Sequence, residues 1–146
     1  MRSISRETPL AEITLRRYEK PYNLRGRELT RKVLLSIGLL QPGDSRDIIV
    51  DIFHVMLGRK PMTVSEIEKA VIDFRKKQRL PLLGIASSNI RRQLKRLKEI
   101  FLVEKRGSSY RITENSKIID IFEEKIELFL VPSIMKRVKE YFKAVK

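Results

Sequence analysis

The chain has 146 residues, 42% hydrophobic and 34% charged, a size that supports one sizeable core with extensions and not two enzyme-sized units. It contains no uninterrupted apolar run of about eighteen residues, so no membrane span is expected, and M-R-S-I-S-R-E-T-P-L at the start lacks an apolar signal core, which makes the cytoplasm the expected compartment. With no cysteine and a single histidine, His54, there is no basis for a disulfide framework, a thiolate nucleophile or a histidine metal cluster, and no cofactor is implied.

The net charge is +14, a field that attracts polyanions. Its distribution is uneven: residues 1 to 32 carry nine cations against four anions, residues 33 to 74 four against six, and residues 114 to 130 two against five. The scarcity of Gln and Asn beside abundant Lys, Arg, Glu and Ile resembles the balance of thermophile proteins.

The first twenty-six residues, with Pro9, Pro21 and Gly26, show no sustained period and read as a basic arm. Two fates stand side by side for it: lying along a phosphate backbone, or staying mobile. From Arg27, the positions Leu29, Val33 and Ile37 predict a short helix closed by Gly38. After the turn Gln41-Pro42-Gly43, a helix is expected to start at Asp44 or Ser45, with Ile49, Ile52, Phe53 and Met56 inward and Gly58 as its stop. His54 in that helix reads as a hydrogen-bonded core or boundary residue, since no second titratable partner stands at catalytic spacing.

The connector Arg59-Lys60-Pro61 leads to T-V-S-E, a capping box in which Thr63 and Glu66 satisfy each other's amides. Ile67, Ala70, Val71 and Phe74 then predict a helix ending near Gln78, with the all-positive run Arg75, Lys76, Lys77, Arg79 at its end. After the apolar connector L-P-L-L-G comes S-S-N-I-R-R-Q-L-K-R-L-K-E-I-F. Here Ile90, Leu94, Leu97 and Phe101 fall on one face, and Ser88, Arg92 and Lys95 on the other. Five cations oppose only Glu99 over residues 87 to 99, and Ser87 or Ser88 is expected to cap the helix.

Two strands should follow, joined by Gly107-Ser108, with Glu104 opposite Arg111 and with Val103 and Ile112 sharing the buried side. Beyond Thr113, Ile119, Phe122, Ile126 and Phe129 predict a helix stopped by Pro132. Ser133 then caps another, with Ile134, Val138, Tyr141 and Val145 in a stripe. Such narrow seams suit either a subunit interface or packing on the same chain. Asp120, Glu123, Glu124 and Glu127 read as an exposed helix face, no glycine belongs to a phosphate-binding loop, and no catalytic constellation is visible, so the chain is not expected to be an enzyme.

In order and in residues, the middle of the chain resembles the winged helix-turn-helix domain of archaeal and bacterial transcriptional regulators. The resemblance rests on Thr63-Val64-Ser65-Glu66-Ile67 opening one helix, Ile90-Arg91-Arg92-Gln93-Leu94-Lys95-Arg96-Leu97 in the next, and Val103-Glu104-Lys105-Arg106 leading into a wing. It covers roughly residues 44 to 113; the connector from Leu80 to Ala86 is longer and more apolar than the tight turn of the simplest members.

The resemblance implies a mainly α fold with a small β-hairpin. It divides the chain into a basic arm and helix (1 to 43), a winged-helix domain (44 to 113) and C-terminal helices for dimerisation (114 to 146). It implies a cytoplasmic regulator, a homodimer on double-stranded DNA without cofactor, metal or membrane. Ser87, Ser88, Asn89, Arg91, Arg92, Lys95 and Arg96 would face the major groove, with Lys105, Arg106, Ser108, Ser109 and Arg111 on the wing. Ile119, Phe122, Ile126, Phe129, Ile134, Val138 and Tyr141 would form the dimer interface. The alternative is an interaction module that holds a protein or RNA within a larger assembly.

Overall fold

A computed structural model describes residues 4–146. In chain order the elements are α1 (Ile4–Glu7), α2 (Gly26–Ser36), α3 (Ile48–Met56), β1 (Met62–Thr63), α4 (Val64–Lys77), α5 (Ser87–Glu99), β2 (Val103–Arg106) and β3 (Ser109–Ile112). A long C-terminal helix then runs through α6 (Ile118–Ile121), a wider π-type stretch (Phe122–Leu130) and α7 (Val131–Ala144). The fold is mainly helical with a small antiparallel sheet of strand order β1-β3-β2, and no helix of the described residues is long and apolar enough to cross a membrane.

Helix α3 sits at the centre because its sequence, I-I-V-D-I-F-H-V-M, has no polar face: every residue except His54 is buried. Around it pack α2, α4 and α5, which bring in Leu34 and Leu35, Ile67 and Val71, and Ile90, Leu94 and Leu97; Val103 and Ile112 of the hairpin and Ile121, Ile126 and Leu130 of the C-terminal helix belong to the same continuous core. The expected capping box is present: the Glu66 amide donates to Thr63 Oγ1 (3.2 Å) and the Thr63 amide to Glu66 Oε1 (2.9 Å). The hairpin register is also as expected, with Val103 opposite Ile112 and Glu104 opposite Arg111.

Several expectations need correcting. In α2 the inward face is Thr30, Leu34 and Leu35, and Leu29 is exposed. The spacing of Leu29 and Val33 carries no sign that Thr30 has a polar partner inside, His54 Nδ1, at 2.8 Å from its Oγ1. Helix α3 begins at Ile48, not at Asp44 or Ser45. Asp44 instead closes a turn by accepting from the Arg46 amide (2.9 Å), and the Asp47 carboxylate is drawn away from capping by Arg27 and Arg31, each at 2.8 Å.

Strand β1 lies outside the expected elements: Met62 pairs with Tyr110 and Thr63 with Ser109, so the segment after Pro61 joins the hairpin before α4 starts. The arm is not loose between Ile13 and Glu19. Arg16 donates its amide to Ser36 O (2.8 Å) and its guanidinium to Leu35 O (2.8 Å), Leu40 O (3.0 Å) and Gln41 Oε1 (2.6 Å). It thereby satisfies carbonyls that the end of α2 leaves without intrahelical partners. Gly38, at φ +77°, permits this approach, since a Cβ there would lie 2.5 Å from Thr14 Cβ.

Pro132 does not stop the C-terminal helix. The backbone stays right-handed helical at Leu130 and Val131, and the Val131 amide reaches back to Ile126 O, an i to i+5 bond. Pro132 follows directly, where the winding returns to the α-helical register; lacking an N–H, it adds no intrahelical bond of its own, and the helix continues through it. Ser133 does not cap; its hydroxyl donates to Leu130 O at 2.7 Å.

Beneath the helices lies an ionic cluster. Asp51, 0% exposed, accepts from Arg27 Nε (2.9 Å), Arg27 Nη2 (3.1 Å) and Arg75 Nη1. Burial alone would raise the Asp47 carboxyl, but the hydrogen bond and charge of Arg27, with Arg31 and Arg75 nearby, hold it below its ordinary value. Of the run at the end of α4, Arg75 is therefore internal, and only Lys76, Lys77 and Arg79 are exposed.

Candidate nucleic-acid interface

Helix α5 is shaped by its own spacing. Ile90, Leu94 and Leu97 are 0% exposed against the core, which turns Ser88, Arg92, Lys95 and Glu99 outward, with Arg91 and Lys98 on one flank. Arg91, Lys95 and Lys98 stand at i, i+4 and i+7 and form one exposed cationic row beside Arg92. Lys98 adds to the expected set, and its spacing from Arg91 is the sequence signal that marks it.

The start of α5 is built by its loop and not by a serine cap. The N-cap position is Ala86, without a side-chain cap bond. Ser87 instead donates to Glu68 Oε2 on α4 at 3.3 Å. Asn89 donates its amide to Gly84 O (2.8 Å), while its Oδ1 accepts from Arg92 Nη2 (2.6 Å) and Gln93 Nε2 (3.1 Å). Both ends of the Asn89 amide are thus committed, so it is not free to pair with an adenine edge. It orients Arg92, which remains an exposed residue.

Arg96 departs from the expected recognition face. Its Nη2 donates to Leu39 O (2.7 Å), across 57 positions of sequence, and its Nη1 to Gln93 Oε1 (2.8 Å). The half-buried side chain ties α5 to the connector after α2. The loop that enters α5 is held at its other end by Arg75, whose Nε donates to Pro81 O at 2.7 Å. Leu82 and Leu83 lie exposed in that loop.

On the hairpin, Lys105, Arg106, Gly107 and Ser108 are exposed, and Gly107 at φ +62° makes the turn. Lys105 Nζ lies 5.8 Å from the Tyr110 ring centroid. Ser109 and Arg111 are half-buried in β3, and Arg111 Nε is held by Glu104 Oε2 at 2.6 Å. Burial pushes the Glu104 carboxyl up, but the Glu114 amide and the Arg111 guanidinium outweigh this and keep it below its ordinary value. Arg111 is therefore a partner within the hairpin, and the outward cations are those nearer the tip.

The geometry sorts the expected site residues. Ser88, Arg91, Arg92 and Lys95 on the helix, and Lys105, Arg106 and Ser108 on the hairpin, are exposed and outward. Ser87, Asn89, Arg96, Ser109 and Arg111 are engaged within the fold. Of the expected dimer residues, Ile126 is fully buried in the chain's own core, and Phe122 and Ile134 are half-buried there. Ile119, Phe129, Val138 and Tyr141 are exposed. Among the described residues no group of acidic or histidine side chains is arranged to hold a metal. Compared with family models, curated proteins and solved structures, the chain matches none.

Proposed function

We propose that this chain is a sequence-specific double-stranded DNA-binding protein, a homodimeric transcriptional regulator of the winged-helix kind. The observation that carries the reading is the pairing of two exposed cationic surfaces adjacent in sequence: the α5 face of Arg91, Arg92, Lys95 and Lys98, and the hairpin tip of Lys105 and Arg106. Helix α5 is fixed behind by three fully buried aliphatic side chains, so its outer face is presented rigidly, as insertion into a major groove requires. Arginine forks suit guanine edges and phosphates, while lysines act as point charges on the backbone.

The test is selection from a pool of random duplexes by the purified chain, at near-physiological salt with competitor DNA. The expected result is one inverted-repeat motif with half-sites about one helical turn apart. Enrichment of no motif, with binding that vanishes as salt rises, would refute sequence recognition and favour an assembly module whose charge is generic.

A further inference from the structure

The C-terminal helix is the part of the molecule that its own core does not finish. The stripe that seats Ile121, Ile126 and Leu130 inside continues through half-buried Ile134 and then runs off the body: Val138, Tyr141 and Val145 are 46%, 68% and 78% exposed. Met135 and Phe142 flank it, also exposed, and α7 contains no buried residue. An amphipathic helix with an uncovered apolar stripe of this length marks a contact surface.

Charge along the same helix is segregated. Residues 118 to 130 carry Asp120, Glu123, Glu124 and Glu127 against Lys125 alone, whereas residues 131 to 146 carry five cations against Glu140 alone. All four of those acids are exposed, and so are Ile119, Leu128 and Phe129 among them. Each half therefore offers apolar side chains with charges of opposite sign beside them. The two halves are also of similar length, about 20 Å at 1.5 Å per residue.

We infer that two copies of the chain pair antiparallel through this helix, with the basic α7 of each copy lying on the acidic 118 to 129 stretch of the other. The inference rests on the homodimer reading above and not on DNA binding. A second copy is the occupant that the charges select: reversal of direction brings acid beside base twice about one dyad, and covers the exposed stripe of α7 in both copies. Pairing α7 with α7 would instead align two helices that each carry four cations against one anion, an arrangement that like-charge repulsion disfavours. Parallel pairing of the whole helix would set acid beside acid and base beside base.

The experiment is light scattering of the full chain after gel filtration, with two exposed triple variants that leave the core untouched. The wild-type is expected at twice the 17.2 kDa of one chain. Lys136→Glu/Lys139→Glu/Lys143→Glu and Glu123→Lys/Glu124→Lys/Glu127→Lys should each weaken self-association by at least about tenfold, the order of coupling between interfacial charges. Mixed together, the two variants should form a heterodimer. A wild-type chain that stays monomeric would overturn both the dimer reading and this seam. A basic-to-acidic variant that associates as well as the wild-type or better would overturn the seam alone. So would rapid disulfide formation between copies of Val138→Cys, the only thiol in that chain, because it would place α7 on α7.

Discussion

Removal of the Asp51 carboxylate should be among the most damaging single changes in the molecule. Asp51 is 0% exposed and receives Arg27 through two nitrogens and Arg75 through one. In Asp51→Ala, Arg75, only 4% exposed, would keep Asp47 at 3.5 Å and the Pro81 carbonyl, and Arg27 would keep only Asp47. Two guanidinium groups would then share one carboxylate that Arg31 already uses. Breaking a buried pair from one side costs about 3–5 kcal/mol, because the remaining charge is left uncompensated. For a chain of this size each kcal/mol moves the midpoint by about 2–4 °C, so the expected fall in Tm is about 6–20 °C.

Thermal and urea unfolding followed by circular dichroism measure it directly. Asp51→Ala combined with Arg75→Met should recover part of the loss, since the orphaned charge is removed with its partner. Recovery should be incomplete, because Arg75 also holds Pro81 O at the start of the loop that leads into α5. A loss below about 1 kcal/mol in the single variant would refute the argument, since it would class the cluster with solvent-screened surface pairs.

Two further outcomes separate cations engaged within the fold from those proposed to meet DNA, and test the one histidine. Lys95→Ala, which removes an exposed charge, should leave Tm nearly unchanged while lowering the salt slope of duplex binding by about 0.9 for each phosphate that Lys95 neutralises. Arg96→Ala should do the reverse, costing about 1.5–3 kcal/mol for its charged hydrogen bonds to Leu39 O and Gln93; equal slopes in both variants would contradict the division. Burial holds the His54 imidazole below its ordinary 6.5, with Asp51 opposing that shift and Arg27 adding to it. The unfolded chain therefore takes up the proton first, so this contribution is complete above about pH 6.5 and is lost as pH falls through the lower folded value. Tm should drop as pH falls below about 6.5, and His54→Gln should flatten that part of the profile; an unchanged profile would show that His54 is not its source.

The readable parts of this fold are those decided by neighbours in sequence. The capping box at Thr63, the apolar face of Ile90, Leu94 and Leu97, and the Glu104–Arg111 register each depend on residues within about ten positions, and each stands as expected. What is not readable comes from distant partners. Thr30 faces inward because His54 receives it, Asp47 fails to cap because three arginines claim it, and Arg96 leaves the expected recognition face because Leu39 O lies beside it. Pro132 differs for another reason: the local rule assumes an α-helical register, and the π-type winding before it changes which groups must meet the ring.

The net charge therefore overstates the exposed cationic surface. Arg16, Arg27, Arg75 and Arg96 spend their donors on helix ends, buried carboxylates and loop carbonyls, and Arg111 spends its own on Glu104. These arginines serve the site indirectly. Arg75 fixes the loop before α5 at Pro81, Arg96 fixes the helix to the α2–α3 connector, and Asn89 closes the loop onto Gly84 and aims Arg92. The helix is thus held at its entry loop, along its apolar back and on one flank, and the outward face left over carries Arg91, Arg92, Lys95 and Lys98. Positional restraint of this kind matters more to a sequence reader than added charge, because phosphate attraction is indifferent to sequence and only a side chain held in register against a base edge discriminates.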